Sequence, residues 1–196
     1  MGYSEKNIDL IKTAIAKGNA DALAHLYKLY FSKLKLYGLQ FSQKLNTYSV
    51  DDTIQEIFIW LAKNPKALKN VDNIEVYLFS ALKQNIYQEI HKNEIHKKVK
   101  RKFTESNNFP IKEFPIENKI IESEEHTTQT NYISHLLESL PPNQKEVIYL
   151  RYYVNMSYRE IAQVMDLSEQ VVRNYAYRAM QQLRKQPSLN RRQFKR

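Results

Sequence analysis

Apolar residues recur every three or four positions through most of the 196-residue chain, and strict alternation is nowhere sustained, so the pattern calls for helices and not for strands. A first helix is expected from about Ser4 to Lys17, stopped by Gly18. A second places Leu23, Leu26, Tyr30, Leu34, Tyr37 and Phe41 on one stripe and carries Gly38 near its end, where glycine costs about 1 kcal/mol. Ser49 is a suitable cap for a third, which buries Ile54, Ile57, Phe58 and Leu61 and ends before Pro65. After the loop "NPKALKNVDN" a fourth runs from about Ile74 to Lys98, with Leu78, Leu82, Ile86 and Ile90 inward.

From Phe103 to Asn131 the periodicity fades and Glu, Asn, Thr and Pro take over, the composition of a tether. These 29 residues span about 30 Å as a relaxed coil and roughly 95 Å pulled straight. Structure resumes at Tyr132, and Leu140-Pro141-Pro142 marks a break followed by a helix with proline in its first turn. Ser157-Tyr158-Arg159-Glu160 is a capping box that opens a short helix with Ile161, Ala162 and Met165 inward. Asp166 stands where a left-handed residue is needed, and Ser168 caps the next helix. The fold class is therefore all-α: two small helical domains, 1–102 and 132–196, joined by a flexible linker, the second domain containing a helix-turn-helix.

Charge divides the chain in the same places. Residues 1–102 hold seventeen basic and ten acidic side chains, 103–131 two and six, and 132–196 eleven and five. Two cationic blocks flank an acidic strip, which points first to nucleic acid as partner and less strongly to an anionic membrane surface. The absence of cysteine excludes disulfides, thiolate zinc sites and cysteine nucleophiles, and fits a reducing cytoplasm. No apolar run reaches the roughly 18 residues of a membrane span, and Met1–Leu10 is too polar for a signal peptide, so a soluble cytoplasmic protein without membrane insertion is expected.

The chemistry sits on the last helix. At about 100° per residue, Val172, Tyr175, Ala176, Ala179, Met180 and Leu183 share one arc, while Gln170, Arg173, Asn174, Tyr177, Gln181 and Arg184 share the other. A solvated helix face carries similar residues. This one, however, has no acid between Gln170 and Arg184, and it follows a capped helix and hinge as a recognition helix does. Arg can fork onto guanine, and Asn and Gln onto adenine, so the face is suited to read a DNA groove.

The run "LPPNQKEVIYLRYYVNMSYREIAQVMDLSEQVVRNYAYRAMQQLR" resembles region four of bacterial RNA polymerase sigma factors. "VDDTIQEIFIWL" resembles the region-two helix that docks on the polymerase clamp, and "YLFSALKQNIYQEIHK" the following segment, which opens the minus-ten element. Regions two and four joined by a bare tether describe the extracytoplasmic-function (ECF) sigma factors, and the resemblance covers roughly Ala20–Lys98 and Tyr132–Lys185. Where the family commonly has Arg-Asn followed by Asp and Arg, this chain has Gln84-Asn85, Glu89 and Lys92; Asn85 matches, and Lys cannot reproduce the fork of Arg.

The resemblance implies core RNA polymerase and promoter DNA as partners, an anti-sigma factor as a candidate third, and no cofactor. Polymerase binding would fall to Asp52, Gln55, Glu56 and Ile59, on the outward arc of the third helix. Minus-ten contacts would come from Lys66, Lys69, Asn70, Asn73, Tyr77, Lys83, Asn85, Tyr87 and Lys92, although Tyr77 and Tyr87 also suit a core or rim role. Minus-thirty-five contacts would come from Ser168, Gln170, Arg173, Asn174, Tyr177, Arg178, Gln181 and Arg184. The acidic linker would lie in basic polymerase channels. An enzyme is the first competing class, but His91, Glu94 and His96 do not have one-face metal spacing, and no phosphate-binding glycine loop or nucleophile elbow occurs. The second is a helix-turn-helix regulator whose N-terminal block is a sensor or dimerisation module.

Overall fold

The computed structural model describes residues 8–41, 50–104 and 139–185, with Ile95 the only described side chain in 93–104. The described residues are helical throughout: α1 (Ile8–Ala16), α2 (Ala20–Leu39), α3 (Val50–Lys63), a 3-10 turn (Pro65–Asn70), α4 (Ile74–Thr104), α5 (Pro142–Ile148), α6 (Tyr158–Met165) and α7 (Glu169–Arg184). Ser4, Ser49, nearly all of the acidic linker and the tail after Lys185 lie outside them.

Local chemistry sets most helix ends. Gly18 takes a φ of 81° just beyond α1, a conformation glycine adopts without cost. The Asn19 side chain caps α2 by accepting from the Ala22 amide at 3.0 Å. Helix α4 continues to Thr104 instead of ending near Lys98, so the first two residues assigned to the linker are helical. The sequence "IHKKVKRKFT" has no proline or glycine to stop the helix, and fading apolar periodicity removes a buried face without breaking the backbone ladder.

Gly38 has a packing reason. A Cβ there would collide with Cγ1 of Val50, so the missing side chain lets the start of α3 seat against the end of α2. Gly38→Ala should therefore destabilise the protein by about 1–3 kcal/mol from overpacking, despite alanine's better helix propensity. Urea unfolding checks this, and a variant as stable as the parent would refute the close approach.

The sides of the linker share one core. Ile11, Leu26, Leu34, Ile54, Leu61, Leu78, Phe79 and Leu82 from α1–α4 are continuous with Val147, Leu150, Ile161 and Val172 from α5–α7. A smaller cluster of Leu140, Ile148 and Ala179 closes the far end of the C-terminal unit. Between α5 and α6 the chain makes a π turn, Tyr149–Tyr153, ended by the bond from the Val154 amide to the Tyr149 carbonyl at 3.2 Å.

Candidate nucleic-acid and polymerase interfaces

The helix-turn-helix is built from local bonds. Ser157 Oγ accepts from the Glu160 amide at 3.3 Å and the Glu160 carboxylate accepts from the Ser157 amide at 2.6 Å, completing the expected box. Asp166 is left-handed, with φ 53° and ψ 50°. Ser168 Oγ accepts from the Val171 amide at 3.4 Å, so this candidate DNA-contacting hydroxyl is also the cap of α7. Val172, Ala176 and Ala179 are buried beneath the helix.

The opposite face stands in solvent. Gln170, Arg173, Asn174, Tyr177, Arg178, Gln181 and Arg184 are all exposed, as is Ser168. Arg173 is held before any DNA arrives: its Nε donates to Glu169 at 3.0 Å and its guanidinium lies 4.8 Å from the Tyr158 ring centre. Arg151 lies at the same distance from that ring. Gln181 donates to the Tyr177 hydroxyl at 2.7 Å. Beside the face is a cleft of about 310 Å³ lined by Tyr152, Tyr158, Arg173, Tyr177, Gln181 and Arg184. Tyr152 and Tyr158 were not among the residues expected from sequence. Tyr152 lies within the π turn, whose phase a 3.6-residue wheel does not register, and Tyr158 belongs to the neighbouring helix α6 and not to α7.

On α3, Asp52, Gln55, Glu56 and Ile59 are exposed, and Trp60 joins them at 50% exposure. Asp51 turns back to an ion pair with Lys35 at 2.8 Å. An apolar groove of about 430 Å³ runs between α2 and α3, lined by Leu23, Tyr27, Gln55, Phe58 and Ile59 among others. Acids and apolar surface are thus side by side, as a docking face requires.

The nine minus-ten candidates do not form one cluster. Lys66, Lys69 and Asn70 are exposed on the 3-10 turn, and the two lysines share a cleft of about 490 Å³ with Lys12 and Thr13 of α1 and with Lys17 just beyond it, where Asp9 also lines the cleft and pairs with Lys12 at 3.2 Å. No local pattern points to Lys12 and Lys17, because they are distant in the chain from the 3-10 turn. Asn73 is committed at both ends of its amide: its Oδ1 accepts from the Glu75 and Val76 amides at 2.8 and 3.1 Å, and its Nδ2 donates to Glu160 at 2.6 Å. Lys83 bonds the Glu146 carboxylate at 2.8 Å. Tyr77 is half-buried against the core, and burial raises its pKa. Asn85 is partly exposed. Tyr87 is 47% exposed, meets Phe41 edge-on and has Lys83 Nζ 6.0 Å from its ring centre. Burial, followed by the Glu146 charge, raises its pKa. Lys92 is exposed and bonds Glu89 at 2.6 Å; that bond, with a smaller contribution from Glu56 of α3, raises its pKa.

Among the described residues, no group of three or more His, Asp or Glu side chains is placed to hold a metal ion, and no helix is long and apolar enough to cross a membrane.

Residues 130–183 match the family model for sigma-70, region 4. No curated protein matches the chain in sequence. Among solved structures, the chain is similar to CnrH in complex with the cytosolic domain of CnrY, at 20% identity and a TM-score of 0.56, covering 89% of this chain and 93% of that one. It is also similar to the sigma factor RpoE in complex with the anti-sigma factor NepR from Bartonella quintana, at 17% identity and a TM-score of 0.51, covering 85% and 98%. At these identities the structural likeness is one of fold, and it runs through both halves of the chain. The C-terminal stretch of the chain thus matches sigma-70, region 4, and the chain as a whole shares its fold with these two structures, one of them a sigma factor.

Proposed function

We propose that this chain is a sigma factor of the extracytoplasmic-function type, which binds core RNA polymerase through the outward face of α3, directs it to promoters by reading the minus-thirty-five element with α7, and helps to open the minus-ten element. In this reading residues 1–102 are region two, 103–131 the linker and 132–196 region four with a basic tail. The observation that carries it is the exposed, acid-free face from Gln170 to Arg184, borne on a capped helix-turn-helix within the stretch that matches region 4. The lysines at the 3-10 turn and α1 suit strand phosphates, and exposed Tyr87 suits an unstacked base, whose extrusion costs a few kcal/mol. The sigma factor RpoE was solved with an anti-sigma factor; by likeness of fold we extend that partner class to this chain. No step in this role calls for catalysis or a cofactor.

Transcription from purified components tests the proposal. Core polymerase from the same cell, mixed with genomic fragments, should yield discrete transcripts only when the chain is added. Binding to fragments without transcripts, until a different sigma factor is supplied, would favour the helix-turn-helix regulator instead.

A further inference from the structure

The Glu146 carboxylate is the most deeply buried acid among the described residues, at 3% exposure, and both of its donors come from the other side of the linker. Tyr37 of α2 donates its hydroxyl at 2.6 Å and Lys83 of α4 donates its ammonium at 2.8 Å. Three further contacts join the two sides of the linker. The Tyr149 hydroxyl donates to the Lys33 carbonyl at 2.7 Å, the Tyr37 and Tyr149 ring centres are 6.1 Å apart, and Asn73 donates to Glu160 at 2.6 Å. Helix α6 packs directly on α4.

We propose that Glu146, held between Tyr37 and Lys83, is a latch that keeps the free protein closed and covers part of its own minus-ten face. The reasoning starts from what the contacts occupy. Lys83 and Asn73 are candidates for the opened strand, and the Lys83 ammonium and the Asn73 Nδ2 both donate to region four. The proposed promoter-bound form places α4 and α7 on elements about two helical turns, or 70 Å, apart, which the direct packing of α6 on α4 forbids. Closed and promoter-bound forms are therefore mutually exclusive, and any ligand that binds only the open form must first release the latch.

The chemistry suits a reversible closure. A carboxylate taken from water is tolerated only while paired and hydrogen-bonded, so Glu146 strongly favours the seated position in the closed form. On opening, water replaces the tyrosine and lysine donors, and all three groups are satisfied again. Opening therefore releases these polar groups together with the apolar surface the two sides share, without unfolding either unit.

The inference takes its covered face from the proposed function, but its main test uses no polymerase, so the two can fail separately. The sequence contains no cysteine, and spin labels on Lys28→Cys and Gln163→Cys, both exposed positions, report the separation of α2 and α6 in the full chain. One short, narrow distance distribution is expected for the parent. Glu146→Ala and Tyr37→Phe should each add a longer, broader population, whereas Arg159→Ala, exposed on the same unit, should not. Affinity of the free chain for a single-stranded minus-ten oligonucleotide should rise in Glu146→Ala, by about tenfold if the parent is nine-tenths closed. A broad distribution in the parent, or a narrow one in both variants at full helix content, overturns the latch. Should Glu146→Ala lose helix content, Tyr37→Phe, which removes one donor and no bulk, decides by the same distance measurement.

Discussion

The double variant Asp52→Lys/Glu56→Lys is expected to keep the parent's helix content and to lose core polymerase binding by about a hundredfold, since placing like charges against a complementary surface costs several kcal/mol. Helix α3 is anchored by Ile54, Ile57, Phe58 and Leu61, all buried, so its outward positions accept lysine without disturbing the core. Two local effects must be separated from binding. Asp52 lies in the first turn of α3, where a positive side chain opposes the helix dipole by up to about 1 kcal/mol. Glu56 also helps to hold Lys92 in its charged form. Thermal unfolding reports both, and neither is large enough to unfold the domain. Asp51→Ala is the matching control, because Asp51 bonds Lys35 and does not face outward as the docking acids do. Competition for labelled core polymerase gives the readout. Parent-like affinity in the folded double variant would remove α3 from the interface and with it the proposed route to polymerase.

What could be read from the sequence was what short-range chemistry decides. Helices α2, α3, α6 and α7 follow from 3.6-residue periodicity, and Ser157, Glu160, Asp166 and Ser168 act within three or four residues of themselves. The left-handed Asp166 is legible because the spacing between two amphipathic runs leaves no other conformation for the hinge. The π turn was not legible, since one extra residue per turn leaves no mark in "YLRYY", and it carries Tyr152 to the edge of the cleft beside the outward face of α7.

Glu146 shows the larger limit. In "NQKEV" it reads as one more solvated acid, yet its partners lie 109 and 63 residues away and no local pattern encodes them. Burial, and then this carboxylate, hold the Tyr37 phenol well above its usual pKa, so at neutral pH it remains a donor to the acid. Asn73 is similar. Its position at the start of α4 announces a cap, but its second bond, to Glu160, depends on the docking of region four. The candidate site was therefore legible wherever one helix presents it whole, as α7 and α3 do. It was poorly legible where separate segments assemble it, as at the 3-10 turn, α1 and α4.

Arg173→Ala should lower affinity for the cognate minus-thirty-five duplex by about tenfold to a hundredfold, the range of a good bidentate base contact, and Arg173→Lys should lower it nearly as much. The guanidinium is seated on Tyr158 and bonded to Glu169, so its direction is set before binding and little rotamer freedom remains to be lost. Lysine keeps the charge but has neither the planar stack nor the fork. Position along α7 separates the remaining roles. Gln170, Arg173 and Asn174 occupy the N-terminal half, the part of a recognition helix that meets base edges, while Arg178 and Arg184 follow in the C-terminal half, where in the proposed role the helix would pass the phosphates. Arg178→Ala/Arg184→Ala should therefore weaken cognate and scrambled duplexes alike and reduce the slope of log affinity against log salt by about two. Arg173→Lys, by contrast, should leave that slope unchanged and narrow the gap between cognate and scrambled DNA. Titrations of the full chain with both duplexes at several salt concentrations distinguish these outcomes. If Arg173→Lys binds the cognate duplex as the parent does, the stacked guanidinium is a structural clamp for α6 and α7 and the base reading must lie with Gln170 and Asn174.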